Sequence, residues 1–411
     1  MRPSWAEVDV GAIAANARTL VGLAAPAQLC AVVKAGGYGH GAVRAAEAAI
    51  EGGATWLAVA LVEEGVELRD AGITAPVLLL SEPPADAFAD VVAADLRPTV
   101  YTVAGIEAAA KAVASAAGAA RAGYRRAGVD PVVGRRAQTG VWTARAWRPD
   151  PGGGNGVGRP LAVHLKIDTG MHRVGATAEV IVDLAAAVVA RPELTLEGLW
   201  THFAVADEPD GDPFTRGQLD RLLAARETLA AHGIRPPLLH AANSAGAIAH
   251  PSARLDLVRC GIALYGLDPS PALAGRVPLQ PALSLKARVS HVKEIAAGEG
   301  VSYGLRWSAP QQTIVATVPL GYADGVPRRL SSLGGEVLLG GRRVPMAGTI
   351  TMDQLLVDCG PRSTVRAGDE VVLIGRQGTE EISAWEWASK LGTIGYEVVC
   401  GIGARVPRIS T

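Results

Sequence analysis

Short apolar runs alternate with alanine-rich, helically spaced stretches from residue 10 to about residue 265. The runs at residues 29–33, 56–60, 77–80, 98–101, 162–167, 196–201, 238–241 and 257–260 have the length and composition of strands buried on both faces. Segments such as 63–71, 178–190 and 214–231 fit the helices between them, with Thr177 as the N-cap of the second. Eight such βα units predict an α/β architecture, a (β/α)8 TIM-like barrel. A doubly wound open sheet is the alternative, but no Gly-x-Gly-x-x-Gly opens the first helix to support it.

After about residue 270 the period shortens. Residues 283–295, 313–319, 336–339, 343–346, 354–357 and 370–374 read as strands separated by Gly, Pro and Asp turns, with a short helix over 383–391. The predicted domains are therefore a barrel over residues 10–268 and a mainly β C-terminal domain over 269–411, with residues 1–9 adding a strand to the latter. Residues 122–160, rich in Gly, Pro and Arg, interrupt the rhythm and read as an insertion between the fourth helix and the fifth strand. Such αβ connections lie on the barrel face opposite an active site, so the insertion is expected to be catalytically irrelevant.

The chain has 411 residues and a net charge of −1, which gives no basic field for nucleic acid or an anionic membrane. Its four cysteines are scattered, without metal-ligand or disulfide spacing, so no metal site is expected and reduced thiols are the default. The first residues are too polar for a signal peptide, and no apolar run is long enough to span a bilayer. The expectation is a cytoplasmic protein.

Candidate chemistry sits at the strand ends, where a barrel gathers its functional groups. Lys34 closes the first strand, and a charged residue there is costly unless paired or used. The glycine-rich turn after it carries Tyr38. Asp168-Thr169-Gly170-Met171-His172-Arg173 follows the fifth strand, His202 the sixth, Asn243-Ser244 the seventh, and Arg259-Cys260-Gly261-Ile262 the eighth. His40 and His240 read as packing or turn residues.

These motifs, with Gly300-Val301-Ser302-Tyr303-Gly304, Gly321-Tyr322-Ala323-Asp324-Gly325, Met352-Asp353-Gln354 and Tyr396-Glu397, closely resemble the alanine racemase family. The resemblance implies a pyridoxal 5'-phosphate enzyme that interconverts L- and D-alanine, a peptidoglycan precursor, by a two-base mechanism. Lys34 is then the Schiff-base lysine and the base on one face of the substrate, with Tyr303 the base on the other. Phosphate would be held by the hydroxyls of Tyr38, Tyr396 and Ser244 and by the backbone N–H groups of Ser244, Gly261 and Ile262, with Asn243 beside them. Ser244, beginning a helix, suits an anion. Arg259 would face the pyridine nitrogen, keeping it unprotonated because a guanidinium does not give up its proton. His202, linked to Arg259, and Arg173 would support Tyr303. The resemblance also implies a head-to-tail homodimer in which Tyr303 and Met352 reach the partner's site. Lys166 matches a lysine that the family often carries carbamylated. From the residues alone it reads as a buried partner of Asp168.

Two positions depart from the family pattern. Gly36-Gly37 stand where Asp or Asn followed by Ala is usual, which removes a polar anchor and adds backbone entropy. Thr349 stands where an arginine is usual, in an access corridor with Asp207, Tyr322, Arg328 and Ile394. A roomier corridor leaves open a serine or broad-specificity racemase, or a non-catalytic cofactor-binding homologue, as alternatives. A decarboxylase on a similar barrel needs an acid at the pyridine nitrogen, and Arg259 argues against one.

Overall fold

The computed structural model describes residues 2–127 and 159–411. Most of the 122–160 segment lies outside the described residues. Its first residues continue the helix Val103–Ala127, so the helix ends later than the sequence pattern placed it. The chain forms two compact units: Leu23–Lys34 with Ala54–Cys260, and Met1–Gly22 with Ala35–Gly53 and Gly261–Thr411.

The first unit contains all eight expected strands: Gln28–Val32, Trp56–Val59, Val77–Leu79, Thr99–Val100, Leu161–Lys166, Leu194–Trp200, Leu238–His240 and Leu257–Cys260. They are parallel throughout and form two four-stranded sheets, one ordered third-second-first-eighth and the other fourth-fifth-sixth-seventh. Both seams carry backbone hydrogen bonds. Leu79 donates to the Arg97 carbonyl and Arg97 to Val77 at one, and Asp256 donates to Leu239 and Arg259 to Ala242 at the other. The strands therefore follow one another around a circuit, which excludes the open doubly wound sheet. Their apolar runs are continuous because both faces are covered; Leu57, Ala58, Val77 and Leu78 are fully buried.

The helix after the fifth strand is Ile181–Val189, and it begins after Val180. Thr177 does not cap it, because its hydroxyl bonds Glu179 in the preceding turn.

In the second unit, Leu283–Arg288 is the hub of a seven-stranded sheet, flanked by Ser4–Val8 on one side and Glu370–Gln377 on the other. A separate three-stranded sheet pairs His291–Ile295, Thr313–Val318 and Leu355–Gly360. The single strand expected over 283–295 is thus two, broken at Val289-Ser290 where the chain changes sheet. A small hairpin, Gly300–Val301 with Trp307–Ser308, presents the loop containing Tyr303. Its base is packed in a cluster of Ile295, Val301, Ala309 and Val315, with Trp307 against it.

Residues 35–38 form a left-handed turn. Ala35, Gly36, Gly37 and Tyr38 have φ of 53°, 60°, 64° and 53°. The turn is closed by hydrogen bonds from Gly39 to the Ala35 carbonyl and from Gly41 to the Gly36 carbonyl. Each L-residue held there costs about 1–2 kcal/mol, which glycine avoids. That relief outweighs the roughly 0.5–1 kcal/mol of extra chain entropy that a glycine loses on folding. The Gly36-Gly37 departure therefore relaxes this turn. His40 completes it as a turn residue, its Nδ1 lying 2.9 Å from the Tyr38 carbonyl oxygen.

A Cβ at Gly36 meets nothing, whereas one at Gly37 lies 3.2 Å from the Ala42 nitrogen and 3.3 Å from the Ala45 Cβ. We predict that Gly36→Ala destabilises by about 1–2 kcal/mol, the backbone cost alone. Gly37→Ala should cost more, because it adds the steric conflict. Urea unfolding of both variants checks the order, and equal losses would contradict it.

Candidate active site

In the first unit the strand ends are tied together by side chains of their own loops and of one helix. Asp168, after the fifth strand, accepts hydrogen bonds at Oδ1 from the backbone N–H groups of Gly170, Met171 and His172, which closes the loop before Arg173. Burial raises the Asp168 carboxyl, but these amides and His172 prevail and leave it below its ordinary value. The Thr169 and Thr201 hydroxyls are 2.7 Å apart, joining the fifth and sixth strand ends. Gln218, from the helix Asp212–Ala231, donates to the His202 carbonyl and accepts from the Ala204 N–H. Nothing in the pattern singled out Gln218, which lies on the buried face of an ordinary amphipathic helix.

Arg259 ends up 2% exposed. Its Nη1 donates to His240 Nδ1 at 2.8 Å, and its Nη2 donates to the Thr201 and Ala241 carbonyls, each at 2.9 Å. His202 Nδ1 stands 3.4 Å from the same Nη2. The guanidinium also lies 4.5 Å from the centroid of the Trp200 ring, on which His240 is stacked. Burial lowers Arg259 to about 10, which leaves it charged at neutral pH.

A guanidinium only donates, so it fixes the tautomers beyond it. His240, accepting at Nδ1, carries its proton on Nε2 and donates to His164 Nδ1 at 3.0 Å. His164 then donates from Nε2 to Glu197 Oε2 at 3.2 Å. Burial raises Glu197, but the His164 hydrogen bond and Arg97 outweigh it and keep the carboxylate below its ordinary value. The result is a directed chain from a buried cation to a carboxylate. His240 is thus a packing residue, stacked on Trp200, that also accepts from Arg259. A period-two signal could have found His164, which precedes Lys166 and Asp168 on one face of the fifth strand and its continuation. A register shift between Val163 and His164 sets that side chain against Gly198, where any Cβ would collide with the imidazole.

Lys166 lies over the Trp200 ring at 4.5 Å and is 3% exposed. Asp168 acts on it as a charge partner that favours the protonated amine, while its Oδ1 accepts from the amides of its own loop. Burial first, then Arg259 and Arg173, push the Lys166 amine down to about 7. Burial and the same two cations, with Lys166 and Lys34 adding to them, hold His202 well below its ordinary value. Lys34 is half-buried, Arg173 is exposed and Asp207 is half-buried. Asn243 caps the helix Ser244–Ala249, its side chain accepting from the Gly246 N–H, and Ser244 is buried.

In the second unit the Tyr38 ring packs 5.1 Å from Tyr265 and 6.2 Å from Tyr396. Tyr265 is a core aromatic. A Cβ at Gly261 would collide with the Tyr38 hydroxyl, and one at Gly39 with the Val399 carbonyl in the helix Gly395–Cys400 that carries Tyr396. Glycine at both places lets the two tyrosines and the backbone of Gly261 and Ile262 share one small region. Tyr303 is 73% exposed and Met352 52% exposed, and Leu305, Tyr322, Arg328 and Ile394 are exposed as well. Thr349 is buried, with its hydroxyl donating to the Tyr303 carbonyl. Among the described residues no three His, Cys, Asp or Glu side chains are grouped to hold a metal ion. None of the four cysteines forms a disulfide.

Residues 8–269 match the family model described as alanine racemase, N-terminal domain, and residues 282–410 match alanine racemase, C-terminal domain. The alanine racemase of Symbiobacterium thermophilum is 47% identical over 408 residues, covering 99% of this chain and 97% of that protein. That of Desulforamulus reducens is 41% identical over 413 residues, covering 99% and 98%. Among solved structures, alanine racemase from E. faecalis aligns with a TM-score of 0.84 at 37% identity, covering 100% of this chain and 98% of its own. Alanine racemase from Streptomyces coelicolor A3(2) gives 0.83 at 37% identity, covering 100% and 98%.

Burial holds His40 down to about 4, and it holds His202 and His240 well below their ordinary value. The unfolded chain takes up a proton at each near pH ~6.5, whereas the folded chain does not. The stability that these three histidines contribute should therefore be full above about pH 7 and fall as pH drops, by up to about 1.4 kcal/mol per pH unit for each of the three. Denaturant midpoints taken between about pH 7 and about pH 5 check this, and a flat profile would contradict it.

Proposed function

The chain belongs to the alanine racemase family, and from that premise we propose how its own residues interconvert L- and D-alanine. The family's members are isomerases that use pyridoxal 5'-phosphate, and the fold is a (β/α)8 barrel followed by a mainly β domain. The residues present fit that cofactor. The cradle at Gly261, which a Cβ would close, suits the close approach of a phosphate oxygen, and the buried guanidinium of Arg259 suits a ring nitrogen that stays unprotonated.

Phosphate is assigned to the Tyr38, Tyr396 and Ser244 hydroxyls and to the N–H groups of Ser244, Gly261 and Ile262, with Asn243 ordering the Ser244 turn. When bound, the cofactor supplies the electron sink that makes the substrate α-proton removable. Lys34 would hold it covalently in the resting enzyme and, as the free amine, would exchange a proton at Nζ with one face of the substrate Cα, while Tyr303 would exchange one at Oη with the other. A proton removed on one side and returned on the other inverts the centre with no net change in composition. His202 and Arg173 support the Tyr303 side, and the Met352 N–H and Arg173 bind the substrate carboxylate. The observation that carries this reading is Arg259. A fully buried cation tied to neutral histidines cannot supply the acidic partner that a decarboxylase needs.

Lys166 is assigned as a carbamylated lysine. Only a neutral amine adds to carbon dioxide, releasing a proton, and an amine held at about 7 is neutral in useful amount. The product is an anion among Arg173 and Arg259. The exposed Tyr303, Leu305, Tyr322, Met352 and Ile394 support a head-to-tail homodimer, because a surface of this kind is ordinarily covered by a partner. The corridor role of Asp207, Tyr322, Arg328, Thr349 and Ile394 rests on the resemblance. The relatives above are alanine racemases, which does not favour a serine or broad-specificity enzyme or a non-catalytic homologue. No helix among the described residues is long and apolar enough to cross a membrane. With a net charge of −1, we read a cytoplasmic enzyme with no nucleic-acid or membrane partner.

Borohydride reduction of the loaded enzyme followed by peptide mapping should label the peptide containing Lys34, and Lys34→Ala should lose both label and racemisation. Labelling at another lysine would refute the assignment. Tyr303→Phe should abolish racemisation while keeping the covalent label, and it should retain slow α-proton exchange from one enantiomer only. Equal exchange from both would rule out a base on each face.

A further inference from the structure

Tyr303 is presented by a turn that its own residues do not favour. Ser302 has φ 66° and ψ −173°, a region that is otherwise almost confined to glycine. Leu305 has φ 45°, and Gly304 between them has φ 76°. Such a backbone persists only where its surroundings over-determine it. Inside the turn itself, the Leu305 N–H donates to the Ser302 carbonyl at 3.1 Å.

Further restraints come from a residue 46 positions from Tyr303 in sequence. The Thr349 hydroxyl donates to the Tyr303 carbonyl at 2.9 Å, and the Ser302 hydroxyl donates to the Thr349 carbonyl at 2.6 Å. The preceding residue, Gly348, has φ 73°, and a Cβ there would lie 2.5 Å from the Val301 carbonyl oxygen and 3.1 Å from the Ser302 Cβ. The two segments are therefore in direct backbone contact. Thr349 is 7% exposed, so its hydroxyl is turned into this contact and away from solvent.

We propose that Thr349 is a positioning residue for Tyr303, pinning the strained Ser302–Leu305 turn from both sides so that the phenol is held in one orientation. The inference rests on the reading of Tyr303 as a proton-transfer group. It gives Thr349 a task different from widening an access corridor. Threonine suits that task because its hydroxyl reaches the neighbouring carbonyl directly and its branched Cβ limits it to few rotamers.

Three variants test it in the loaded, full-length enzyme. Thr349→Val removes the donor at nearly constant volume, Thr349→Ser keeps it, and Tyr303→Phe is the reference. α-Proton exchange into deuterated water is measured from each enantiomer separately. Amide hydrogen exchange of the peptide spanning residues 302–306 is followed in the cofactor-free chain. Thr349→Val should slow exchange from the enantiomer that Tyr303→Phe disables by about ten-fold, the size of one lost hydrogen bond. Exchange from the other enantiomer should stay within about two-fold. The Leu305 amide should exchange faster, and Thr349→Ser should restore both readouts. Equal slowing from both enantiomers, an unchanged Leu305 amide, or failure of serine to rescue would overturn the proposal. If Tyr303→Phe leaves both enantiomers exchanging, it is the assignment of Tyr303 that falls, whatever Thr349→Val does. If Thr349→Val does not fold, loss of Leu305 amide protection in Ser302→Ala supports the pinned turn, and retained protection overturns it.

Discussion

The interior of the barrel unit is organised around a single buried positive charge. Removing a guanidinium from water costs several kcal/mol even after relaxation, so every neighbour of Arg259 must offset that cost. Two carbonyls, two imidazole nitrogens and an indole face do so. The consequences spread outward. His240 and His202 are held neutral, His240 passes its proton direction to His164, and His164 needs Glu197 and a glycine opposite it. Burial first, and the same charge after it, push Lys166 towards neutrality. Burial and this one arginine together hold His202 and His240 neutral, and its hydrogen bond to His240 orients the imidazoles beyond it.

The architecture was legible because it is written in period and punctuation. Eight apolar runs became eight strands, with boundaries moved by only a few residues, since a strand covered on both faces has no polar alternation to obscure it. Strand-end residues such as Lys34, His202 and Arg259 were legible for a related reason, because charge at the end of an apolar run has to be accounted for. What stayed hidden depends on contacts between distant segments. Glu197, His164 and Gln218 look like ordinary polar residues until the fold brings Arg259 and Thr169 to them. The break at Val289-Ser290 was hidden too, because a chain that changes sheets keeps its strand-like composition throughout. For Lys166 the nearby Asp168 was legible as a charge partner, whereas the opposing pull of burial, Arg259 and Arg173 appears only in the fold.

Two sorts of constraint act on the groups assigned to chemistry. Those in the barrel are fixed by buried, directional hydrogen bonds, where any loss leaves a polar group unpaired in a low dielectric. For Tyr38 and Tyr303 backbone conformation adds a second constraint. Both stand in turns with positive φ, one built on consecutive glycines and the other clamped by Thr349. A buried network resists substitution at each member, whereas a strained turn needs only some device that holds it, and several devices can serve.

That difference accounts for where this chain departs from the family pattern. Neither Gly36-Gly37 nor Thr349 replaces a group assigned to proton transfer or cofactor binding. Both lie in the supports of a tyrosine turn. At the first, the left-handed strain is removed by glycines. At the second, the strain is kept at Ser302 and Leu305 and held by hydrogen bonds to Thr349. The proton-transfer chemistry fixes which atoms must be presented and leaves the manner of presentation to the backbone.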